Sequence, residues 1–488
     1  MTLTIGQEPL SAGLLIGGRE VPTTAAGRFE HLNPATGSLL GHGAIASTDD
    51  VDEAVAAARS ALVQWRQTSP QRRRTILQDL ARAYREQAGE FAALSTAESG
   101  VPAPVAATIA PSSADWFEYY AGWTDKLRGA TLPVEGAFDY TQQEPVGVVA
   151  ILLTWNTPAA TIGATVAPAL AAGCTVVLKP PELAPFTSAL FGRLCNEVGV
   201  PPGVVNIVTG AADTGDALVR HPGIDKISFT GGRDIARKIQ AAAAESVTPL
   251  ILELGGKSAN IVFPDADLDY AATCAAVGLL ALNGQTCIAP TRLLVHEDIQ
   301  DALLERVVAN VRGARIGNPA QANVQMGPVI SQRAVDRIRG IVDRATADGG
   351  EILTGSEPLA DVDEKGFFVR PTVVGGVKND SRVAQQEVFG PVLAVTTFAD
   401  DDEAVGLAND VEYGLAAYLH TNDVTRALTM ASRLDAGNIA VNGPSPLGGP
   451  ATPFGGFKDS GYGKQGGLEG LMEFVRTKNV VVHTTRPF

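Results

Sequence analysis

The amino-acid sequence predicts an α/β protein centred on a parallel sheet with helices on both faces, and two patterns carry that prediction. First, short β-branched runs at residues 146–152, 174–179, 204–208, 226–229 and 250–254 alternate with helical stretches near residues 158–172, 187–199, 214–221 and 232–245. Strands separated by helices join as parallel neighbours through right-handed crossovers. Second, polar residues and glycines cluster where those runs end: Asn156, Lys179, Gly210, Gly231 and Glu253. Ligands of such sheets bind beyond the carboxyl ends of the strands. The coincidence points to a Rossmann-type, dinucleotide-binding sheet.

Along the chain, a short strand-like opening leads into helices. Asp49 and Asp50 precede an apolar stripe, Val51, Ala54, Val55, Ala58 and Leu62, at helical spacing. Ser69-Pro70 opens the next helix, since proline suits the first turn. Residues 124–145 form a polar, strand-prone interruption, and residues 478–483 read as a strand near the chain end. An extended arm that pairs with another subunit explains both. A second α/β segment covers residues 257–454, beginning with a strand at 259–263 and a helix after Asp265, and a loop rich in Gly and Pro covers residues 442–463. Residues 146–178 carry no charge, yet Pro158, Pro168, Gly163 and Gly173 interrupt them. A buried strand–helix–strand fits that stretch better than a membrane span.

A length of 488 residues implies several domains. A net charge of −15 argues against nucleic acid or an anionic membrane as partner. The four cysteines, Cys174, Cys195, Cys274 and Cys287, are widely spaced and form no C-x-x-C. So sparse a set fits a reducing compartment. With no basic n-region and apolar core at the N-terminus, a cytoplasmic location is expected. The histidines are scattered without H-E-x-x-H, and no metal site is expected.

Cys287 follows Asn283-Gly284-Gln285-Thr286. A free cysteine is commonly a small buried hydrophobe, and that reading stands for the other three. The Gly-containing polar approach to Cys287 suggests a loop or helix start, where backbone N–H groups favour a thiolate. Glu253, inside the run Pro249-Leu-Ile-Leu-Glu-Leu, is costly to bury unless compensated. It is either the partner of a lysine such as Lys257 or a general base with a raised pKa. Asn156, in Thr154-Trp155-Asn156-Thr157-Pro158, is a turn residue or an oxyanion donor. Lys179-Pro180-Pro181-Glu182 is a solvated turn or a ribose-binding loop, and Phe229-Thr230-Gly231-Gly232 is a turn or a pyrophosphate-binding helix start. Gly255-Gly256-Lys257-Ser258 lacks the leading glycine of a P-loop, having Ile251 instead. Asp265-Ala-Asp267-Leu-Asp269 has Tyr270 where a calcium loop needs glycine, so helix capping is expected there.

Together these motifs resemble the aldehyde dehydrogenase superfamily over nearly the whole chain. The marks are Trp155-Asn156, Lys179-Pro-x-Glu182, Phe229-Thr-Gly231, Glu253-Leu-Gly-Gly-Lys257 and Gly284-Gln-x-Cys287, followed by Glu387-Val-Phe389-Gly-Pro391 and Pro453-Phe454-Gly-Gly-x-Lys458-x-Ser460-Gly461. The resemblance implies an NAD-binding domain from residues 1–123 and 146–256, and a catalytic α/β domain from 257–460. A small β oligomerisation arm from 124–145 and 474–488 completes it, in a homodimer or homotetramer. It implies Cys287 as nucleophile, Asn156 with the Cys287 N–H as oxyanion hole, and Glu253 as the base that activates hydrolytic water. Lys179 and Glu182 would bind the adenosine ribose, Glu387 the nicotinamide ribose, and Phe389 would lie beside the nicotinamide. Trp155, Gly210, Gly231, Gly232 and Leu254 complete the expected cofactor contacts.

The expected reaction is NAD-dependent oxidation of an aldehyde to an acid, with Glu182 repelling the 2′-phosphate of the alternative cofactor, NADP. Departures from the family pattern are Thr154 for a common proline, Gly232 for serine, and Lys464-Gln465 for Arg-Glu. Small residues at 157–164, with Gly448-Gly449, suggest room for a bulky aromatic or terpenoid aldehyde. Two other readings are an acyl-transferring enzyme using coenzyme A or phosphate, which Glu253 disfavours, and a non-catalytic binding member of the fold.

Overall fold

The computed structural model describes residues 8–360 and 362–483. Its largest sheet has eight strands. Across it run Gly461–Tyr462, Leu250–Glu253, Lys226–Thr230, Val148–Leu152, Thr175–Lys179, Val205–Ile207, Leu14–Ile16 and Arg19–Val21. The five central strands are parallel, and the outer three pair antiparallel. Every residue of Val148–Leu152 and Thr175–Lys179 is buried. Two-sided burial explains why those strands read as continuous apolar runs instead of alternating ones. The chain winds outward from Val148–Leu152 in one direction, then returns to Lys226–Thr230 on the other side. Ligand-binding crevices open at the carboxyl ends of two such neighbours.

Helices cover both faces, as expected. One face packs Trp65, Leu77, Tyr84, Phe91, Phe117 and Phe191, and the other Val51, Val55, Ala58, Leu218 and Ile239. Helix Pro158–Ala172 starts on its proline, and Pro70–Glu86 is capped by Ser69, as the sequence predicts. The cap of Thr48–Trp65 is Ser47, whose hydroxyl accepts from the Asp50 N–H while Asp50 accepts from the Ser47 N–H.

A second sheet of seven strands begins with Ala259–Val262, immediately after Gly255-Gly256-Lys257-Ser258. Helix Leu268–Leu280 follows, capped by Asp267. Asp265 instead accepts from the Thr421 hydroxyl and the Asn422 and Asp423 N–H groups, and pairs with Arg426 at 2.9 Å. Its helix-start role is thus spent on a distant corner.

The N-terminal region departs from expectation. Five strands, Leu10–Ala12, Leu14–Ile16, Arg19–Val21, Arg28–Leu32 and Leu39–Ala44, precede the first helix. They are short and lie at sheet edges or in a separate small sheet. Runs so brief carry little periodicity; they pair mainly with one another, and only Leu14–Ile16 also joins a distant strand, Val205–Ile207.

The segments expected to form an arm pair with each other in a separate three-stranded sheet. Ala137–Pro145 pairs antiparallel with Val475–His483, from Val475 opposite Pro145 to His483 opposite Ala137. Thr131–Leu132 lies on its other side. The last strand therefore starts earlier than predicted and finds its partner in its own chain. Residues 1–7, 361 and 484–488, which the expected domain and arm boundaries include, lie outside the described residues. Among the described residues no helix is long and apolar enough to cross a membrane.

Candidate active site

Cys287 lies on a half-buried loop just after the 3-10 turn Ala281–Gly284. Leu282, Asn283 and Gly284 in that turn take left-handed φ values of 50°, 61° and 74°. Buried side chains hold this unusual path. Asn283 donates to the carbonyls of Gly100 and Pro328 at 2.9 and 2.8 Å and accepts from the Gly327 N–H at 2.7 Å. Gln285 accepts from the Ile330 N–H at 2.9 Å, and the Tyr418 hydroxyl donates to the Ile288 carbonyl at 2.8 Å. A Cβ on Gly284 would meet the Pro391 nitrogen at 2.3 Å, and one on Gly256 the Cys287 carbonyl at 2.6 Å. Glycine is thus required for the nucleophile loop to close against its two neighbours.

The loop position does not by itself produce a thiolate. Burial pushes the Cys287 thiol up to about 12, and the charges of Glu387 and Glu253 push the same way. The Cys287 and Ile288 N–H groups favour ionisation, as the sequence suggests, but burial and two carboxylates outweigh them. Cys174 and Cys195 are fully buried and also raised, in keeping with inert core thiols.

Asn156 follows Val148–Leu152 and is buried beside the cysteine loop. Its Nδ2 donates to the Gln285 carbonyl at 2.8 Å, and its Oδ1 accepts from the Thr154 hydroxyl at 3.0 Å. Trp155 between them is pinned by the Ser99 hydroxyl, which donates to the Trp155 carbonyl at 2.8 Å.

Glu253 ends its strand only 3 % exposed, with neither carboxylate oxygen hydrogen-bonded among the described residues. Of its two sequence readings, the ion pair with Lys257 fails. The Lys257 Nζ is likewise buried without a hydrogen-bond partner, and burial and Arg292 lower its pKa to about 7. Burial raises the Glu253 carboxyl well above its ordinary range, with Glu473 adding to the rise and Lys464 opposing it. A Cβ on Gly455 would lie 2.9 Å from the Lys464 side chain and 3.1 Å from Glu253 Oε1. That glycine keeps the space around the carboxylate open.

The remaining predicted residues are placed as follows. Glu387 folds against the glycine pair, accepting from the Gly256 N–H at 3.2 Å, and burial raises its carboxyl to about 7. Phe389, at φ 49°, packs edge-on to Trp155 with ring centroids 5.4 Å apart. Lys179 is buried at the end of its strand, its Nζ donating to the Pro180 carbonyl at 3.1 Å and lying 4.0 Å from Glu182. Burial lowers the Lys179 ammonium, and Glu182 opposes this. Gly210 turns at φ 150° against Thr214, and the Gly231 N–H donates to the Glu253 carbonyl at 3.1 Å. Gly232 caps helix Arg233–Ser246, with no atom within 4 Å of where its Cβ would stand. Leu254 is held by the Ser460 carbonyl at 3.1 Å.

Sequence reasoning missed the residues that hold these groups: Asn283, Gln285, Ser99, Tyr418 and Ser460. Ser460 donates to the Gly255 carbonyl at 2.7 Å and ties the glycine pair to the late loop. Asn283 and Gln285 stood within the motif around Cys287, but their partners lie far away in sequence.

Comparison with known proteins agrees with this geometry. A model of the aldehyde dehydrogenase family matches residues 21–480. The chain is 39% identical to the chloroplastic betaine aldehyde dehydrogenase of Beta vulgaris, covering 93% of this chain and 92% of that protein. It is 40% identical to the peroxisomal aminoaldehyde dehydrogenase 2 of Pisum sativum, with the same coverage of 93% and 92%. The crystal structure of PnpE, from Pseudomonas sp. WBC-3, in complex with nicotinamide adenine dinucleotide superposes with a TM-score of 0.96 at 38% identity, covering 98% of this chain and 99% of that one. With a family model matched over residues 21–480 and relatives near 40% identical over more than nine-tenths of both chains, the chain belongs to the aldehyde dehydrogenase family.

Proposed function

We propose that the protein oxidises an aldehyde to a carboxylic acid, with NAD as hydride acceptor, through a covalent intermediate on Cys287. The observation that carries this is the meeting of Cys287, Asn156 and Glu253 at the junction of the two large sheets, around Gly255-Gly256. The Cys287 thiol gives up its proton to solvent as its sulfur attacks the aldehyde carbon. Asn156 Nδ2 and the Cys287 N–H hold the resulting oxyanion. NAD, when bound, takes the hydride from the thiohemiacetal, which leaves a thioester on Cys287. Glu253 then takes a proton from water, the hydroxide adds to the thioester, and the thiolate departs as the acid is released. The chain's own buried carboxylate, Glu253, favours water over coenzyme A or phosphate as acyl acceptor.

The crevice fits the cofactor. The open helix start at Gly232 suits a pyrophosphate, Lys179 and Glu182 suit the adenosine ribose, and Glu387 the nicotinamide ribose, with Phe389 and Trp155 beside the nicotinamide. The Glu182 charge favours NAD over NADP. On this reading residues 1–123 and 146–256 form the cofactor domain and 257–460 the catalytic domain. The arm, 124–145 with 474–488, builds a homodimer or homotetramer. Four unpaired cysteines support a cytoplasmic setting.

The substrate is a bulky aromatic or terpenoid aldehyde. Of the small residues proposed to make room, Gly163 instead packs against Ser113, whose Cα would lie 2.6 Å from its Cβ. Thr157, Ala160 and Thr161 retain exposure and carry the argument. The test is NADH formation over a panel of aldehydes with each cofactor. Cys287→Ala is expected to abolish it while the fold survives. Full activity in that variant, a preference for NADP, or acetaldehyde outperforming aromatic aldehydes in kcat/KM refutes the corresponding part.

A further inference from the structure

The Gln285 carbonyl can only accept, so the atom facing it must be the Asn156 nitrogen and not its oxygen. The amide oxygen is thereby turned toward Thr154, whose hydroxyl donates to it at 3.0 Å. Both ends of the amide are then used, and Asn156 is only 7 % exposed. One N–H of the planar NH₂ goes to Gln285, and the other has no freedom to swing away.

Resting on the reading of Asn156 as the oxyanion donor, we propose that Thr154 is a positioning residue: its hydroxyl fixes and polarises the Asn156 amide for the oxyanion formed on Cys287. A hydroxyl bonded to the amide oxygen draws electron density toward that oxygen. The N–H groups become more positive, and bonds in series strengthen one another. It also satisfies an oxygen that would otherwise be buried unpaired. Thr154 is itself well placed to act this way. Leu153 before it extends the strand ladder by donating to the Lys179 carbonyl at 3.1 Å, and Trp155 after it is pinned by Ser99. A proline at 154 has no hydroxyl to offer, so a chain with proline there must hold its amide by other means.

A double-mutant cycle tests the proposal. Thr154→Val, Asn156→Ala and the double variant are compared by kcat/KM for an aldehyde, the single-turnover NADH burst and KM for NAD. Thr154→Val is expected to lower kcat/KM ~10-fold through the lost coupling, with KM for NAD unchanged. Asn156→Ala is expected to lose ~10²–10³-fold, and the double variant no more than that. Thr154→Ser, which keeps the hydroxyl, is expected to recover to within about twofold of the parent. A parent-like Thr154→Val overturns the proposal, and so does a Thr154→Val loss that persists undiminished without Asn156, or a Thr154→Ser as poor as Thr154→Val. An Asn156→Ala enzyme with full activity overturns the oxyanion reading itself, and the role of Thr154 with it.

Discussion

Glu253 shows how one buried side chain links chemistry to stability. Its carboxyl is raised by burial above the ordinary value of 4.5, so the folded protein favours the neutral form. The sign follows: stability from this group is intact below about 4.5 and is lost as pH climbs toward the folded-state value. Glu253→Gln cannot ionise. Its melting temperature relative to the parent is expected to rise as pH climbs above about 4.5 toward the folded-state value, read by thermal unfolding as a function of pH. A flat difference would show that the carboxyl ionises freely. The same variant removes the base that activates water. Turnover should fall ~10²–10⁴-fold, while the first NADH burst survives because hydride transfer precedes hydrolysis. Loss of burst and turnover together would place Glu253 before the thioester.

Among the secondary-structure elements, the helix start beside the Lys179 loop depends on a borrowed cap. Helix Phe186–Glu197 has no side-chain cap of its own. Glu98, at the end of helix Ala88–Ser99 and fully buried, accepts from the Phe186 N–H at 2.8 Å, the Thr187 N–H at 3.3 Å and the Thr187 hydroxyl. Burial raises its carboxyl to about 7, and these bonds hold it down against a larger rise. Glu98→Ala strands two backbone donors at the positive end of that helix. We expect it to cost ~2–4 kcal/mol in urea unfolding. A loss under half a kilocalorie would mean water caps the helix instead. Because the helix supports the turn after Lys179, KM for NAD should rise in the same variant.

For the whole molecule, the arm is the exposed feature that asks for a partner. Val475–His483 is the outer strand of its sheet, with one edge unpaired among the described residues. Phe138 and Val482 lie opposite each other on one face, 51 % and 48 % exposed. An apolar edge of this length is an association hazard unless another chain covers it. Replacing both residues with lysine is therefore expected to lower the assembly state in sedimentation velocity, leaving the two large sheets intact by circular dichroism. An unchanged sedimentation coefficient would mean the arm is not the interface.

Much of this protein was written locally. Two-sided burial leaves continuous apolar runs, so the five parallel strands and their helices were legible to within a few residues. Caps at Ser69 and Asp267 are short-range hydrogen bonds and were legible for the same reason. The cysteine motif, Glu253 and Asn156 stood out because polar groups at the ends of buried strands are costly without a use. What only the tertiary structure decided is where long-range partners lie. The five short N-terminal strands mostly pair with one another, and Leu14–Ile16 alone among them docks on a distant strand, Val205–Ile207; runs of three to six residues record neither pairing in their own pattern. Lys257 was a reasonable partner for Glu253 by proximity in sequence, but the two strands flanking Gly255-Gly256 enter different sheets and both polar groups are buried without a hydrogen-bond partner among the described residues. The thiol's ionisation was decided first by burial and then by two carboxylates, Glu387 and Glu253, that converge from distant parts of the chain, because burial and charge act through space and not along the sequence. The orientation of Asn156 likewise depends on a carbonyl 129 residues away.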